Sequence, residues 1–349
     1  MESLTKNRQT DSVLRSIIER AYGPKLVPSG TNFADELGYG WFNVTYKICL
    51  TDGRNVVLKI APPPDVQVMT YERNLMENEV AAMRLIEANS TVPIPHIDFA
   101  DFTHDLVNAN WFFMPFIEGD NYGALMEEGC TTPYEDAAFF VQLGSRNREL
   151  NEIRGPRFGP ISNPRSDTWR EEFLLMIESA IQDGERLDVD LGWDYDLVRK
   201  VIREHEGLLD EVTEPEFCEW DLWNGNTIFQ SGQIAAIIDH ERAFFGDPLI
   251  EACFTAIDLP SFGDAEAFMR GYGKPRLTES ESKRRRLYTL YLILIMVIET
   301  EYRGTGMAQY NEARANLDTV MSLLGYERQS IKDARPKHVV PQSSSRRRI

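Results

Sequence analysis

The chain is most constrained between Phe217 and Pro248, where two β-prone runs, Asn226 to Gln230 and Ile234 to Ile238, flank the dipeptide Ser231-Gly232. A Ser-Gly pair between two such runs is a turn signal, so this stretch is expected to fold back as a hairpin. Folding there brings Asn226 and Asp239 to the same end of the ribbon. Their amide and carboxylate oxygens are hard donors suited to holding Mg²⁺ against nucleotide phosphates. Asp221 lies on the loop just ahead of the hairpin. A carboxylate there can accept the proton of an attacking hydroxyl, as phosphoryl transfer requires. An Asp and an Asn at that spacing also recur by chance in acidic chains, so the reading depends on a nucleotide-gripping half upstream.

Upstream, Val44, Tyr46, Ile48 and Leu50 alternate with Thr45, Lys47 and Cys49, the pattern of a strand on a half-covered sheet. Thr51-Asp52-Gly53-Arg54 turns into a second strand, Val56 to Ile60. Gly38 and Gly40 precede the pair; glycines there let the backbone approach a triphosphate, although a simple turn between strands is the commoner reason for them. Further strands are expected over Ile97 to Phe102 and Trp111 to Phe116. Helical periodicity begins at Ser12, with Asp11 or Ser12 as cap and Gly23-Pro24 as stop. It returns over Asn74 to Ala88, Tyr134 to Asn151, Thr168 to Ala180, Leu197 to Val212, Lys283 to Arg303 and Met307 to Leu324. Asp247 with Pro248 should start a helix through Ile257. Residues 1 to 10 are polar and expected to fray, and no internal repeat is visible.

At this point a resemblance carries the argument further. Asp221, Asn226, Ile238-Asp239-His240-Glu241 and Gly246-Asp247-Pro248 resemble the catalytic and metal-binding loops of the aminoglycoside phosphotransferase family, which also includes choline kinase-like enzymes. The fuller strings WDLWNGN and IDHERAFFGDP are similar to a fungal and bacterial subgroup of it. The chain departs from the family pattern twice: Glu219 replaces a His that supports the loop, and His240 replaces a Trp. The resemblance implies an α+β, bilobal protein-kinase-like fold with a β-rich N-terminal lobe and a mainly helical C-terminal lobe. It makes Lys59 the phosphate-pairing ammonium and points to Glu79 as its helix partner, with Glu77 left open. FFMPFIEGD resembles the kinase hinge, in which the Pro115 carbonyl and the Ile117 N–H would take adenine. The implied organisation is an N-terminal helix (1–25), a nucleotide lobe (26–118), a catalytic and substrate lobe (119–327) and a disordered basic tail (328–349). The implied cofactors are ATP and Mg²⁺, with Asp221 as catalytic residue and Asn226 and Asp239 on the metal.

Composition narrows the partners. The formal net charge is −18, and the segment from Arg328 onward is basic, so the body is more acidic than the whole. Such a body repels nucleic acid and draws cationic solutes, which suits an amine-bearing small molecule; a solvated surface kept for solubility accounts for it equally well. The cysteines at positions 49, 130, 218 and 253 show no C-x-x-C spacing, and no apolar run is long enough to span a bilayer. A cytoplasmic protein with no membrane partner is expected. No D-F-G or A-P-E string is present, and Leu249 follows Asp239 closely, leaving no shelf for a peptide. The reading is therefore an ATP- and Mg-dependent phosphotransferase acting on a hydroxyl of a small molecule. The alternative is a nucleotide-binding, pseudokinase-type regulator; retention of every charged position argues against it.

Overall fold

The alternation along Val44 to Cys49 buries every second residue, whereas the neighbouring strand is buried on both faces from Val56 to Ile60. The computed structural model describes residues 5–38, 42–304 and 306–328. Helix α1 (Asp11–Tyr22) is followed by strands β1 (Ala34–Glu36), β2 (Val44–Cys49) and β3 (Asn55–Ile60), helix α2 (Leu75–Asn89), and strands β4 (Phe99–Asp101) and β5 (Trp111–Pro115). The strands form one antiparallel sheet in the order β1-β2-β3-β5-β4. Val56, Leu58 and Ile60 face Leu14, Ile17 and Ile18 of α1, whereas Val57 faces Val80 and Met83 of α2. That period of two puts Lys59 on the α2 side.

The helical part follows: β6 (Asp120–Asn121), α3 (Tyr122–Glu127), α4 (Pro133–Leu150), β7 (Gly159–Pro160), α5 (Trp169–Arg186), α6 (Tyr195–His205), β8 (Glu216–Cys218), β9 (Thr227–Gln230), β10 (Gln233–Ile237), β11 (Phe244–Gly246), α7 (Ala265–Tyr272), α8 (Glu279–Arg303) and α9 (Met307–Leu323). The core of this part runs through α8, whose Leu287, Tyr288, Tyr291 and Leu294 are buried with Trp169 and Phe173 of α5. Two small sheets, β10-β9-β6 and β7-β11-β8, project the loops that carry the site. Among the described residues no helix is long and apolar enough to cross a membrane.

Several local expectations need correction. Thr10, and neither Asp11 nor Ser12, caps α1, its hydroxyl accepting from the Val13 N–H at 3.4 Å. Residues ahead of it are docked, because Lys6 Nζ donates to the Asn43 carbonyl (2.6 Å) and Asn7 Nδ2 to the Ala61 carbonyl (3.1 Å). The expected helix over 197–212 stops as an α-helix at His205 and tightens into a 3₁₀ turn, Glu206–Glu211, where Gly207 weakens helical preference. Asp247 does accept the Leu249 N–H, but the segment to Ile257 is two 3₁₀ turns, Pro248–Ile250 and Ala252–Ile257, broken at Glu251. Glu251 leaves the helical path to accept the N–H groups of Glu219 and Trp220 at 2.9 and 2.8 Å. Arg328, expected in the tail, is held by Asp318 and by the Gly192 carbonyl, each at 3.1 Å. The rest of that tail lies outside the described residues, as does Gly40.

Candidate active site

Lys59 is where the sheet meets the catalytic loops. Its Nζ donates to Glu79 Oε1 at 2.7 Å and to Asp239 Oδ1 at 2.6 Å, with only 6% of the residue exposed. Burial opposes the ammonium, but the Asp239 and Glu79 carboxylates more than offset that and hold it above its ordinary value. Glu77 is excluded as partner because its Oε1 accepts from Asn110 Nδ2 at 3.0 Å. For Asp239, burial also works against the charged form; Lys59 overcomes it and keeps the carboxyl below its usual range.

The hairpin forms as its turn residues predict. Ser231 (φ 51°) and Gly232 (φ 81°) are both left-handed, the requirement of a tight two-residue connection. β9 and β10 pair from Gln230↔Gln233 to Thr227↔Ile237, and the Ile238 N–H donates to the Asn226 carbonyl at 3.0 Å. Asn226 and Asp239 thus leave the same end of the ribbon. Asn226 Nδ2 donates to the Asp221 carbonyl at 2.9 Å, which leaves its Oδ1 as the atom free to meet a cation. Asp239 is itself left-handed (φ 71°), as is Trp220 (φ 60°) beside Asp221. Non-glycine residues in that region store about 1–3 kcal/mol each and persist only where neighbours enforce them.

Asp221 faces Arg242, whose Nε lies 3.6 Å from Oδ2, too far for a hydrogen bond but close enough for attraction. Arg242 packs over the rings of Tyr71 and Trp220, 5.2 and 5.6 Å from their centroids. Burial pushes the Asp221 carboxyl up to about 6; Arg242 pulls it down and Asp239 pushes it further up. A carboxylate so placed is a proton acceptor poised near neutral pH.

Glu79, Asp239 and Glu241 place carboxylate oxygens within 4.8 Å of one another. Among the described residues Glu79 Oε2 is buried with no hydrogen-bond partner, and burial with the Asp239 charge pushes Glu241 up to about 8. An oxygen-only donor set with an orphaned carboxylate oxygen fits a hard divalent cation. Gly38 is exposed with open space where a Cβ would sit. Pro115 closes β5 and Ile117 follows half-buried, at the edge where the sheet hands over to the helical part.

Sequence reasoning misses the residues that brace this cluster. Asn43 Nδ2 donates to Glu241 Oε2 at 2.7 Å, and Asn78 Nδ2 donates to the carbonyls of Glu241 and Ala243 at 2.9 and 2.7 Å. Isolated asparagines carry no signal in a single sequence. Glu219 and His240 do carry one: the two positions that depart from the family pattern touch, His240 Nδ1 lying 2.9 Å from Glu219 Oε1.

The model of the APH phosphotransferase enzyme family matches residues 35–287. The chain belongs to that family. Its fold is shared with solved structures at low identity. A candidate fructosamine-3-kinase from Thermobifida fusca superposes with a TM-score of 0.64 at 19% identity, covering 90% of this chain and 100% of that one. A thermostable mutant of the aminoglycoside phosphotransferase APH(4)-Ia, in ternary complex with AMP-PNP and hygromycin B, gives 0.62 at 18%, covering 89% and 98%. The streptomycin-ATP-APH(2″)-IIa ternary complex gives 0.57 at 16%, covering 89% and 96%. No curated protein matches the sequence significantly. At these identities the structural likeness establishes the kinase-like fold, and the family match supplies the coarse activity, phosphotransfer.

Proposed function

We propose that the protein transfers the γ-phosphate of ATP to a hydroxyl of a small molecule. The observation that carries this reading is Lys59, whose ammonium bridges Glu79 at 2.7 Å and Asp239 at 2.6 Å beside the loop holding Asp221 and Asn226. In the proposed complex adenine lies against Pro115 and Ile117, and the phosphates lie within reach of Lys59, with Gly38 and Gly40 as the glycines expected from the sequence to let the backbone approach them. Asn226 and Asp239 would hold Mg²⁺, with Glu79 and Glu241 close by; when bound, the ion neutralises phosphate charge. Asp221 takes the proton of the acceptor hydroxyl and orients it for in-line attack.

A cavity of about 330 Å³ opens beside this loop, lined among others by Tyr71, Asn74, Ser162, Trp220, Arg242 and Tyr291. It shares Arg242 and Trp220 with the surroundings of Asp221, and its size suits a small acceptor. Hygromycin B and streptomycin, present in the two antibiotic complexes, are molecules of that kind. The acceptor class is an aminoglycoside, amino alcohol, sugar or secondary metabolite, and the net charge of −18 is compatible with a cationic one. Screening hydroxyl-bearing metabolites with γ-labelled ATP is the test. Label should move to an acceptor, or slowly to water, only with Mg²⁺. A protein that Mg-ATP neither stabilises nor is consumed by would refute the reading.

A further inference from the structure

Two loops must keep a fixed relation for the proposed chemistry: the one carrying Asp221 and the turn carrying Asp239. They belong to different local structures, since Glu219 follows β8 and Asp239 follows β10. Glu219 and His240 join them across the buried interior, with 1% and 0% of their side chains exposed. His240 Nδ1 is 2.9 Å from Glu219 Oε1, and its Nε2 is 3.2 Å from the Ile237 carbonyl. Both ring nitrogens therefore face acceptors, which an imidazole satisfies only with a proton on each. Among the described residues Glu219 Oε2 has no hydrogen-bond partner, and the carboxylate is held through Oε1 by His240.

The same ring braces strained backbone. By donating to Ile237 while tied to Glu219, His240 spans the left-handed residue Asp239 (φ 71°). On the other side the amides of Glu219 and Trp220 are held by Glu251, at the left-handed Trp220 (φ 60°). Each strained residue thus sits beside one end of the pair.

We propose that Glu219 and His240 are positioning residues that couple the Asp221 loop to the Asp239 turn. Their effect on rate rests on the phosphotransferase reading; the coupling itself does not. Coupling between two loops is reciprocal, so a change on either should be felt on the other. The test is amide hydrogen exchange on the full chain in EDTA. Glu219→Met, which keeps length and removes the acceptor, should speed exchange of the 238–242 amides tenfold or more. His240→Gln, which replaces one of two donor nitrogens by an acceptor oxygen, should do the same at 219–222, and Glu219→Gln, which keeps an acceptor oxygen, should change 238–242 less than threefold. Either reciprocal variant suffices if the other fails to fold. Acceleration confined to the substituted loop would overturn the proposal.

With Mg-ATP, Glu219→Met should lower the hydrolysis rate 10- to 100-fold while the KM for ATP stays within threefold, because Lys59 and Glu79 are not its partners. A KM that rises with an unchanged kcat would also overturn it. Coupled exchange in a wild-type protein with no Mg-ATP turnover would instead refute the phosphotransferase reading and leave the pair standing.

Discussion

Replacing Asp221 by Asn should make the protein more stable and less active at once. Burial is the main reason the Asp221 carboxyl rises from 3.8 to about 6. In the unfolded chain its proton leaves near the lower value, and in the folded chain near the upper. Between them the folded state binds more protons, so this group's contribution to stability falls as pH rises through that window and levels off above 6. Roughly two pH units at ~1.4 kcal/mol each give about 3 kcal/mol as an upper bound on the penalty at pH 8. The side chain is 30% exposed, and solvent screening lowers that to about 1–2 kcal/mol. Asn has the same shape and no charge to bury, so Asp221→Asn should recover this amount at pH 8 and about half of it at pH 5. Urea unfolding of both proteins in EDTA at the two pH values measures it. Turnover on the same samples should drop about 10²–10⁴-fold. A variant less stable than wild type at pH 8, or a difference that ignores pH, would show that Asp221 holds the loop together and is no buried base.

Lys59→Ala leaves Glu79 and Asp239 facing each other without a cation, so the KM for ATP should rise at least tenfold; an unchanged KM by steady-state kinetics would remove Lys59 from the nucleotide site. Asp239→Asn keeps its shape and gives up a metal-binding charge, so Mg²⁺ dependence of turnover should be lost with little change in melting temperature, and wild-type turnover would refute the assignment. Wild-type turnover should climb with pH through about 6 as Asp221 loses its proton. Arg242 opposes the rise at Asp221, so Arg242→Gln should move that limb to higher pH; movement to lower pH would mean the two groups do not interact as placed.

What the sequence shows of this molecule depends on how local each cause is. The β2–β3 pair and the 226–238 hairpin are legible because alternation and a Ser-Gly turn are written within a few residues of where they act. Choosing Glu79 over Glu77 is not, since residues two apart on a helix point about 200° apart and only the docking of α2 says which faces β3. The break at Glu251 is hidden for a similar reason: Asp247-Pro248 is a sound helix start, and what interrupts it is a carboxylate claimed by amides some 30 residues earlier. The short α3 and α7 give too few turns for periodicity to register. Glu219 and His240 stand out as separate departures from a pattern, and only the packed loops make them one contact.

Charge explains why the site is arranged as it is. Glu79, Asp239, Glu241, Asp221 and Glu219 crowd around Lys59, His240 and Arg242, on a chain whose net charge is already −18. Burial first, and the Asp239 charge after it, push Glu241 up to about 8 and Asp221 up to about 6. Each cation is committed: Lys59 to Glu79 and Asp239, His240 to Glu219, and Arg242 to the neighbourhood of Asp221 and Glu299. A triphosphate entering alone would add negative charge where these three cations already face carboxylates, and at these distances like charges repel by several kcal/mol in a partly buried site. Nucleotide and divalent cation should therefore enter together, the cation taking the carboxylates that Lys59 must release to reach the phosphates.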